Sequence, residues 1–92
     1  MDITGDRELT AEEKAVVELH LVTLKDLGFE PTKVIASKDG FTKYICKFVS
    51  GDLPKARITL QALGFDFNDH REDGRLAGWA IRKRTTEGKG WQ

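Results

Sequence analysis

The sequence contains two copies of one short pattern, 36 residues apart. Residues 23–29 read Thr-Leu-Lys-Asp-Leu-Gly-Phe and residues 59–65 read Thr-Leu-Gln-Ala-Leu-Gly-Phe. Each copy ends an apolar helical stripe at a glycine. Each is followed by a strand-like run, an Asp-Gly pair and a second strand-like run. The chain therefore predicts a helix–strand–strand unit that occurs twice, whether the repeat arose by duplication or by convergence.

The first unit carries clear signals for a helix and a β-hairpin. Thr10 and Glu13 have the spacing of a capping box, and apolar residues then recur every three or four positions. Asp39-Gly40 lies between two strand-like runs and is typical of a tight hairpin turn in which both residues take positive φ. The predicted elements are a helix over residues 11–27 and strands over residues 29–37 and 41–49.

The second unit repeats this organisation. Asp52 is suited to the N-cap of a helix, and Pro54 is suited to its first turn, where the missing N–H costs nothing. Gly64 is expected to end the helix. The predicted strands of this unit cover residues 65–71 and 76–84, with a turn near Asp73-Gly74.

Together the two units predict an α+β fold, a two-layer sandwich in the order α-β-β-α-β-β. The sheet is expected to have four antiparallel strands, with two helices on one face. A chain of 92 residues holds one core, so we expect a single domain over residues 1–92. Its parts are an N-terminal arm (1–9), the first unit (10–49), the second unit (50–84) and a C-terminal tail (85–92). Because two helices cover one side only, function is expected on the uncovered face or at the sheet edges.

Charge is balanced overall but distributed unevenly along the chain. Fifteen Lys and Arg residues balance fifteen Asp and Glu residues, which argues against a purely electrostatic DNA-coating protein and against an acidic DNA mimic. The region 1–30 holds eight acids and three bases, whereas the region 75–92 holds one acid and five bases. The strand regions are therefore basic and the first helix is acidic.

Strand alternation assigns the basic residues to the outside of the sheet. The side chains expected to face the core are Tyr44, Cys46, Phe48, Trp79 and Ile81. The candidate partner-binding residues are Lys43, Lys47, Arg82, Lys83, Arg84 and, in the tail, Trp91. A row of cations suits a phosphate backbone or an acidic protein patch. The alternative is a solvated strand exterior whose charges oppose aggregation.

The residue pattern predicts no catalytic residues, no metal and no cofactor. Cys46 lies mid-strand on the apolar side, and His20 lies on the helix stripe, where we expect it to be partly buried and hydrogen-bonded. The acidic run over residues 66–73 has His70 where a calcium loop needs an acid. A single Cys suits a reducing compartment, and the sequence shows no leader or spanning segment, so a cytoplasmic location is expected.

Known nucleic-acid modules fit the chain poorly. Residues 40–48 have the composition of an RNA recognition motif but the wrong spacing, and the element order fits neither that fold nor the double-stranded-RNA-binding fold. We therefore expect a non-enzymatic protein, monomeric or homodimeric, that docks on and inhibits or regulates a larger nucleic-acid-handling complex. By size and type, phage-encoded anti-defence inhibitors such as anti-CRISPR proteins are comparable. The alternative is direct binding of RNA or single-stranded DNA through the basic sheet face.

Overall fold

A computed structural model describes residues 3–5 and 8–85, with the backbone alone for Ile3. Over these residues the chain forms two helices on one face of a five-stranded sheet. In chain order the elements are β1 (Ile3–Gly5), α1 (Ala11–Asp26), β2 (Phe29–Ala36), β3 (Phe41–Phe48), α2 (Leu53–Ala62), β4 (Asp66–Glu72) and β5 (Arg75–Arg84). The strands lie side by side in the order β1-β2-β3-β5-β4, so β3 is central.

The sheet is mixed, which corrects the prediction of four antiparallel strands. The additional strand, β1, lies in the N-terminal arm and pairs in parallel with β2, Ile3 against Val34 and Gly5 against Ala36. A parallel pair needs a long crossover connection, and α1 supplies it. The other three strand pairs are antiparallel, as predicted. At three residues, β1 is too short to show strand alternation in the sequence, yet it covers the backbone edge that β2 would otherwise expose.

Helix α1 begins where the capping box predicts. The Thr10 hydroxyl accepts a hydrogen bond from the backbone N–H of Glu13, and the Glu13 carboxylate accepts one from the backbone N–H of Thr10, each at 3.1 Å. The inner side of the helix buries Val17 and Leu24 and packs on β2. The helix ends at Asp26, one residue before the predicted end.

Helix α2 also begins at its predicted cap. The Asp52 carboxylate accepts a hydrogen bond from the backbone N–H of Lys55 at 3.2 Å, and Pro54 lies in the first turn. Ala56 and Leu60 are buried where the helix packs on β4. Both helix predictions are confirmed because each rests on a local cap and a local apolar stripe.

The two hairpin turns differ. The second has the predicted form, with Asp73 at φ 52° and Gly74 at φ 78°, both in the left-handed region. In the first, Gly40 alone is left-handed, at φ 91°, so the prediction of two left-handed residues is wrong there. The Ser37 N–H donates to the Phe41 carbonyl, and the Gly40 N–H donates to the Ser37 carbonyl. This is a three-residue loop, typical of a type I turn followed by a glycine bulge.

The core lies between the helices and one face of the sheet. Tyr44 and Cys46 on β3 are fully buried, as is Ile81, which lies opposite Tyr44 on β5. Phe48 and Trp79 pack against this core and stay partly exposed. The predicted facing of these five side chains is confirmed. The other face, which we call the open face, carries the alternate strand residues, and neither α1 nor α2 packs on it.

A polar pair lies inside the core. His20 Nδ1 and the Tyr44 hydroxyl are hydrogen-bonded at 2.7 Å, and the imidazole packs edge-on against Phe65 with centroids 5.0 Å apart. Burial, and to a lesser degree the positive charge of Lys83, lower the pKa of His20 to about 4. Burial also raises the pKa of Tyr44 well above its ordinary value. His20 is therefore neutral near neutral pH, and the prediction of a buried, hydrogen-bonded histidine is confirmed.

Candidate binding surface on the open face

One end of the open face brings an aromatic ring and three cations together. The pairing of β3 with β5 sets Phe41 opposite Arg84 and Lys43 opposite Arg82. The guanidinium carbon of Arg82 lies 4.4 Å from the Phe41 ring centroid and that of Arg84 lies 4.5 Å from it, both within cation–π range. We call these four residues the Phe41 cluster. The ring thus holds two guanidinium groups in place on the sheet surface.

Like charges face each other within the Phe41 cluster. Lys43 is exposed and lies directly across from Arg82, an arrangement that destabilises an antiparallel sheet. Arg82 is compensated on its other side, where its Nε lies 3.0 Å from Asp66 Oδ2. Lys43 forms no ion pair with any described residue. The repulsion between these two cations is therefore only partly offset within the described chain.

The carboxylate of Asp39, in the hairpin loop beside the Phe41 cluster, adds a negative charge to this end of the open face. Hydrogen bonds from the Ser37 side chain and from the Phe41 backbone, together with the positive Arg82, lower the pKa of Asp39. The Asp39 carboxylate accepts the Phe41 N–H at 3.1 Å. It stays ionised, so the rim of the Phe41 cluster carries a negative charge beside the cations.

A groove of about 420 Å³ opens near the other end of β3 on the same face. Its lining residues are Thr32, Ile45, Cys46, Lys47, His70, Glu72 and Ala77. Ile45 is 9% exposed and Ala77 is half-buried, so part of the lining is apolar. His70 Nε2 lies 3.3 Å from the Glu72 carboxylate, which orients the imidazole at the groove. The groove therefore combines an apolar surface, a positioned ring and the exposed cation of Lys47.

The structure brings four of the six predicted partner-binding residues to this face. They are Lys43 and Lys47 on β3 and Arg82 and Arg84 on β5. Lys83 is on the helix side, with Nζ 5.4 Å from the Phe65 ring centroid, so it does not join the others. Trp91 lies outside the described residues. The prediction that Lys83 binds a partner together with the other cations is therefore wrong.

The predicted partner-binding set leaves out three residues of this surface: Phe41, Ile45 and His70. The signal for the first two was present, because each is two residues from Lys43 and must share its face. The signal for His70 was weaker. Its facing follows from alternation along β4, but its proximity to Lys47 depends on the spatial order of β3, β5 and β4.

The other residue types that could carry chemistry are not assembled into a site among the described residues. Burial raises the pKa of the Cys46 thiol to about 12, and its Sγ donates to the Tyr44 carbonyl at 3.7 Å. That thiol stays protonated, whereas a nucleophilic cysteine has a lowered pKa. Within residues 3–5 and 8–85, no three His, Cys, Asp or Glu side chains gather as metal ligands. Neither described helix has the length and apolar character needed to cross a membrane.

Comparisons with known proteins point to no family. The chain matches no protein-family model, no curated protein and no solved structure. A function has to be inferred from the residues of the open face.

Proposed function

We propose that this chain is a non-enzymatic interaction protein that docks on an anionic surface of a larger, nucleic-acid-handling complex through its open face. The like-charge pair of Lys43 and Arg82, with Arg84 close by, is the observation that supports this best. Like charges set directly across two strands cost stability. An anionic partner reverses that cost, because it is attracted to all three cations at once.

The cations of the Phe41 cluster are organised before any partner arrives. Arg82 is held by Asp66 and by the Phe41 ring, and Arg84 is held by the same ring. Side chains that are already ordered lose less conformational entropy on binding. Lys43 adds a third positive charge. A multivalent anion can therefore contact several cations, while the two arginine side chains lose little further conformational entropy.

The cationic surface extends along β3 beyond the cluster. Lys43 and Lys47 are four residues apart on one face of the strand, which is about 13 Å at the usual strand rise. A row of that length suits an extended array of anionic groups better than it suits a single small ion. The proposed partner is therefore a polyanion or an acidic protein surface.

The rest of the molecule favours one orientation of approach. Net charge is zero, but α1, on the helix side of the sheet, exposes Glu12, Glu18 and Asp26. An anionic partner is attracted to the open face and repelled by these carboxylates. Such asymmetry raises the rate of correctly oriented encounters and makes it sensitive to salt.

Retention on immobilised heparin tests whether the open face binds polyanions. We expect the chain to be retained despite its zero net charge and the Lys43→Glu/Lys47→Glu variant to elute at clearly lower salt. The matched control is Lys14→Glu/Lys55→Glu, which changes net charge equally at exposed helix positions. The control should keep most of the retention. Equal losses in the two variants would show that net charge alone governs binding and would contradict the proposal.

Inhibition of the complex, as a phage-type anti-defence protein inhibits its target, stays a prediction. Capture of the complex from an extract whose nucleic acids are left intact tests the docking step. We expect capture by the unmodified chain and by the Lys14→Glu/Lys55→Glu control, and loss of capture with Lys43→Glu/Lys47→Glu. Capture that survives the open-face changes would place the docking surface elsewhere.

A further inference from the structure

We propose that the partner of the open face is a single-stranded nucleic acid, with phosphates at Lys43 and Lys47 and one base in the groove beside His70. This inference rests on the proposed function, because it uses the same surface. It adds the chemical class of the ligand. It also adds a second binding site, the groove, which the attraction of an anion to the lysine and arginine side chains does not require.

The groove offers what an unstacked base needs. Ile45 and Ala77 supply apolar surface, and the imidazole of His70 supplies an aromatic ring against which a base can stack. Glu72 holds that ring by a contact of 3.3 Å, so it is positioned before the ligand binds. At about 420 Å³, the groove has the volume of a typical small-ligand site. A carboxylate from an acidic protein patch would gain nothing from these apolar walls.

The order of residues along β3 fits an extended strand with alternating anionic and flat groups. Lys43, Ile45 and Lys47 share the open face, so an apolar side chain lies between two cations. A nucleic acid strand presents phosphates to cations and bases to apolar surface in the same way. The Phe41 cluster lies at the Lys43 end, where the guanidinium of Arg84 adds a further phosphate contact or a stacking plane.

A single strand fits this arrangement better than a duplex. A duplex keeps its bases stacked and paired inside, so it has no base to place in the groove without flipping one out. It would contact the cations through phosphates alone. Preference for single strands over duplexes of the same sequence is therefore a direct consequence of the proposal.

Fluorescence anisotropy with a short labelled oligothymidylate tests the base site. The key comparison is an abasic oligonucleotide of equal length, which keeps the phosphates and lacks the bases. Because base–aromatic stacking contributes a large part of the affinity in such sites, we expect the abasic strand to bind at least about fivefold more weakly. The His70→Ala variant should lose about the same factor for oligothymidylate and nothing for the abasic strand.

A neighbouring residue provides the matched control for His70. Arg71 follows it on β4, and its guanidinium pairs with Asp69. Arg71→Ala should leave the affinity for oligothymidylate unchanged. A loss equal to that of His70→Ala would indicate a general effect on β4 instead of a base site. Thermal unfolding of both variants checks that each still folds.

The salt dependence separates phosphate contacts from base contacts. Each single-strand phosphate contact contributes about 0.7 to the slope of log affinity against log salt. Lys43→Gln/Lys47→Gln should therefore lower that slope by about 1.4, whereas His70→Ala should leave it unchanged. If His70→Ala lowered the slope as much as Lys43→Gln/Lys47→Gln does, the assignment of a base contact to His70 would be contradicted.

The outcomes distinguish this inference from the function on which it rests. Equal binding of abasic and thymidine strands, or duplex binding as tight as single-strand binding, overturns the base site and leaves the anionic-partner function standing. Absence of oligonucleotide binding at low salt, with heparin retention lost specifically in Lys43→Glu/Lys47→Glu, overturns the nucleic-acid partner and favours an acidic protein surface. Equal heparin losses in that variant and in Lys14→Glu/Lys55→Glu would remove the proposed function itself.

Discussion

Acid is expected to weaken the fold through one buried side chain, His20. Its pKa in the folded chain is about 4, whereas an imidazole in an unfolded chain has a pKa of about 6.5. As the pH falls, the unfolded chain therefore takes up the proton first. The free energy of unfolding falls between about pH 6.5 and pH 4, and this particular loss is complete below the folded-state pKa.

The size of the effect follows from the pKa difference. One pKa unit corresponds to about 1.4 kcal/mol, so the protonation of His20 in the unfolded chain lowers stability by about 3 kcal/mol at pH 4. That is a large share of the roughly 5–15 kcal/mol by which small domains are stable. The structural cause is that the imidazole is buried and lies close enough to Lys83 to feel its positive charge.

Urea unfolding at a series of pH values, followed by circular dichroism, measures this contribution against a His20→Gln variant. The Gln amide can still hydrogen-bond to the Tyr44 hydroxyl but does not titrate. Carboxylates titrate in both proteins and cancel in the difference. We expect the unmodified chain to lose about 3 kcal/mol relative to the variant between about pH 7 and pH 4. A difference constant to within about 0.5 kcal/mol would show that His20 is not held neutral in the core.

Three further predictions concern stability. Lys43→Glu replaces a repulsive pair with an attractive one across from Arg82, so thermal unfolding at low salt should show a free energy of unfolding higher by about 0.2–1 kcal/mol. A lower free energy of unfolding would contradict the pairing of residue 43 with Arg82. Tyr44→Ala should lower the free energy of unfolding in urea by about 3–5 kcal/mol, because the ring is fully buried. Trp79→Ala should lower it clearly less, because that ring is half-buried. Equal losses would mean that Trp79 is a full core residue. Gly28→Ala should cost well above the roughly 1 kcal/mol of an average substitution, because φ is 96° and the added Cβ would overlap the Ser50 carbonyl oxygen. A urea unfolding curve close to that of the unmodified chain would refute this.

The elements that the sequence predicts well are those specified by neighbouring residues. Thr10 and Asp52 cap their helices in the predicted way because a cap needs only the next three residues. The turn at Asp73 and Gly74 takes its predicted conformation for the same reason. Strand facing on β3 and β5 also follows from local alternation, and Tyr44 and Ile81 lie in the core as expected.

The elements that the sequence does not predict depend on distant pairing. β1 is defined by its hydrogen bonds to β2, with all of α1 between them, and its three residues carry no pattern of their own. The strand order places β5 between β3 and β4, so the groove draws its walls from four strands, β2 to β5, that belong to two separate hairpins. The Phe41 cluster has the same origin, because its ring lies on β3 and its two guanidinium groups lie on β5, with α2 and β4 between them in sequence.

The run Arg82-Lys83-Arg84 shows how a strand divides a block of like charge. Consecutive strand residues point to opposite faces, so three adjacent cations cannot all serve one surface. Arg82 and Arg84 lie beside Phe41 on the open face, where they attract anions, whereas Lys83 lies over Phe65 on the helix side. There its charge helps to lower the pKa of His20. One basic segment therefore acts on two sides of the sheet. Substitution of Lys83 should change how far acid destabilises the core. It should leave polyanion binding unchanged, because that binding depends on Arg82 and Arg84.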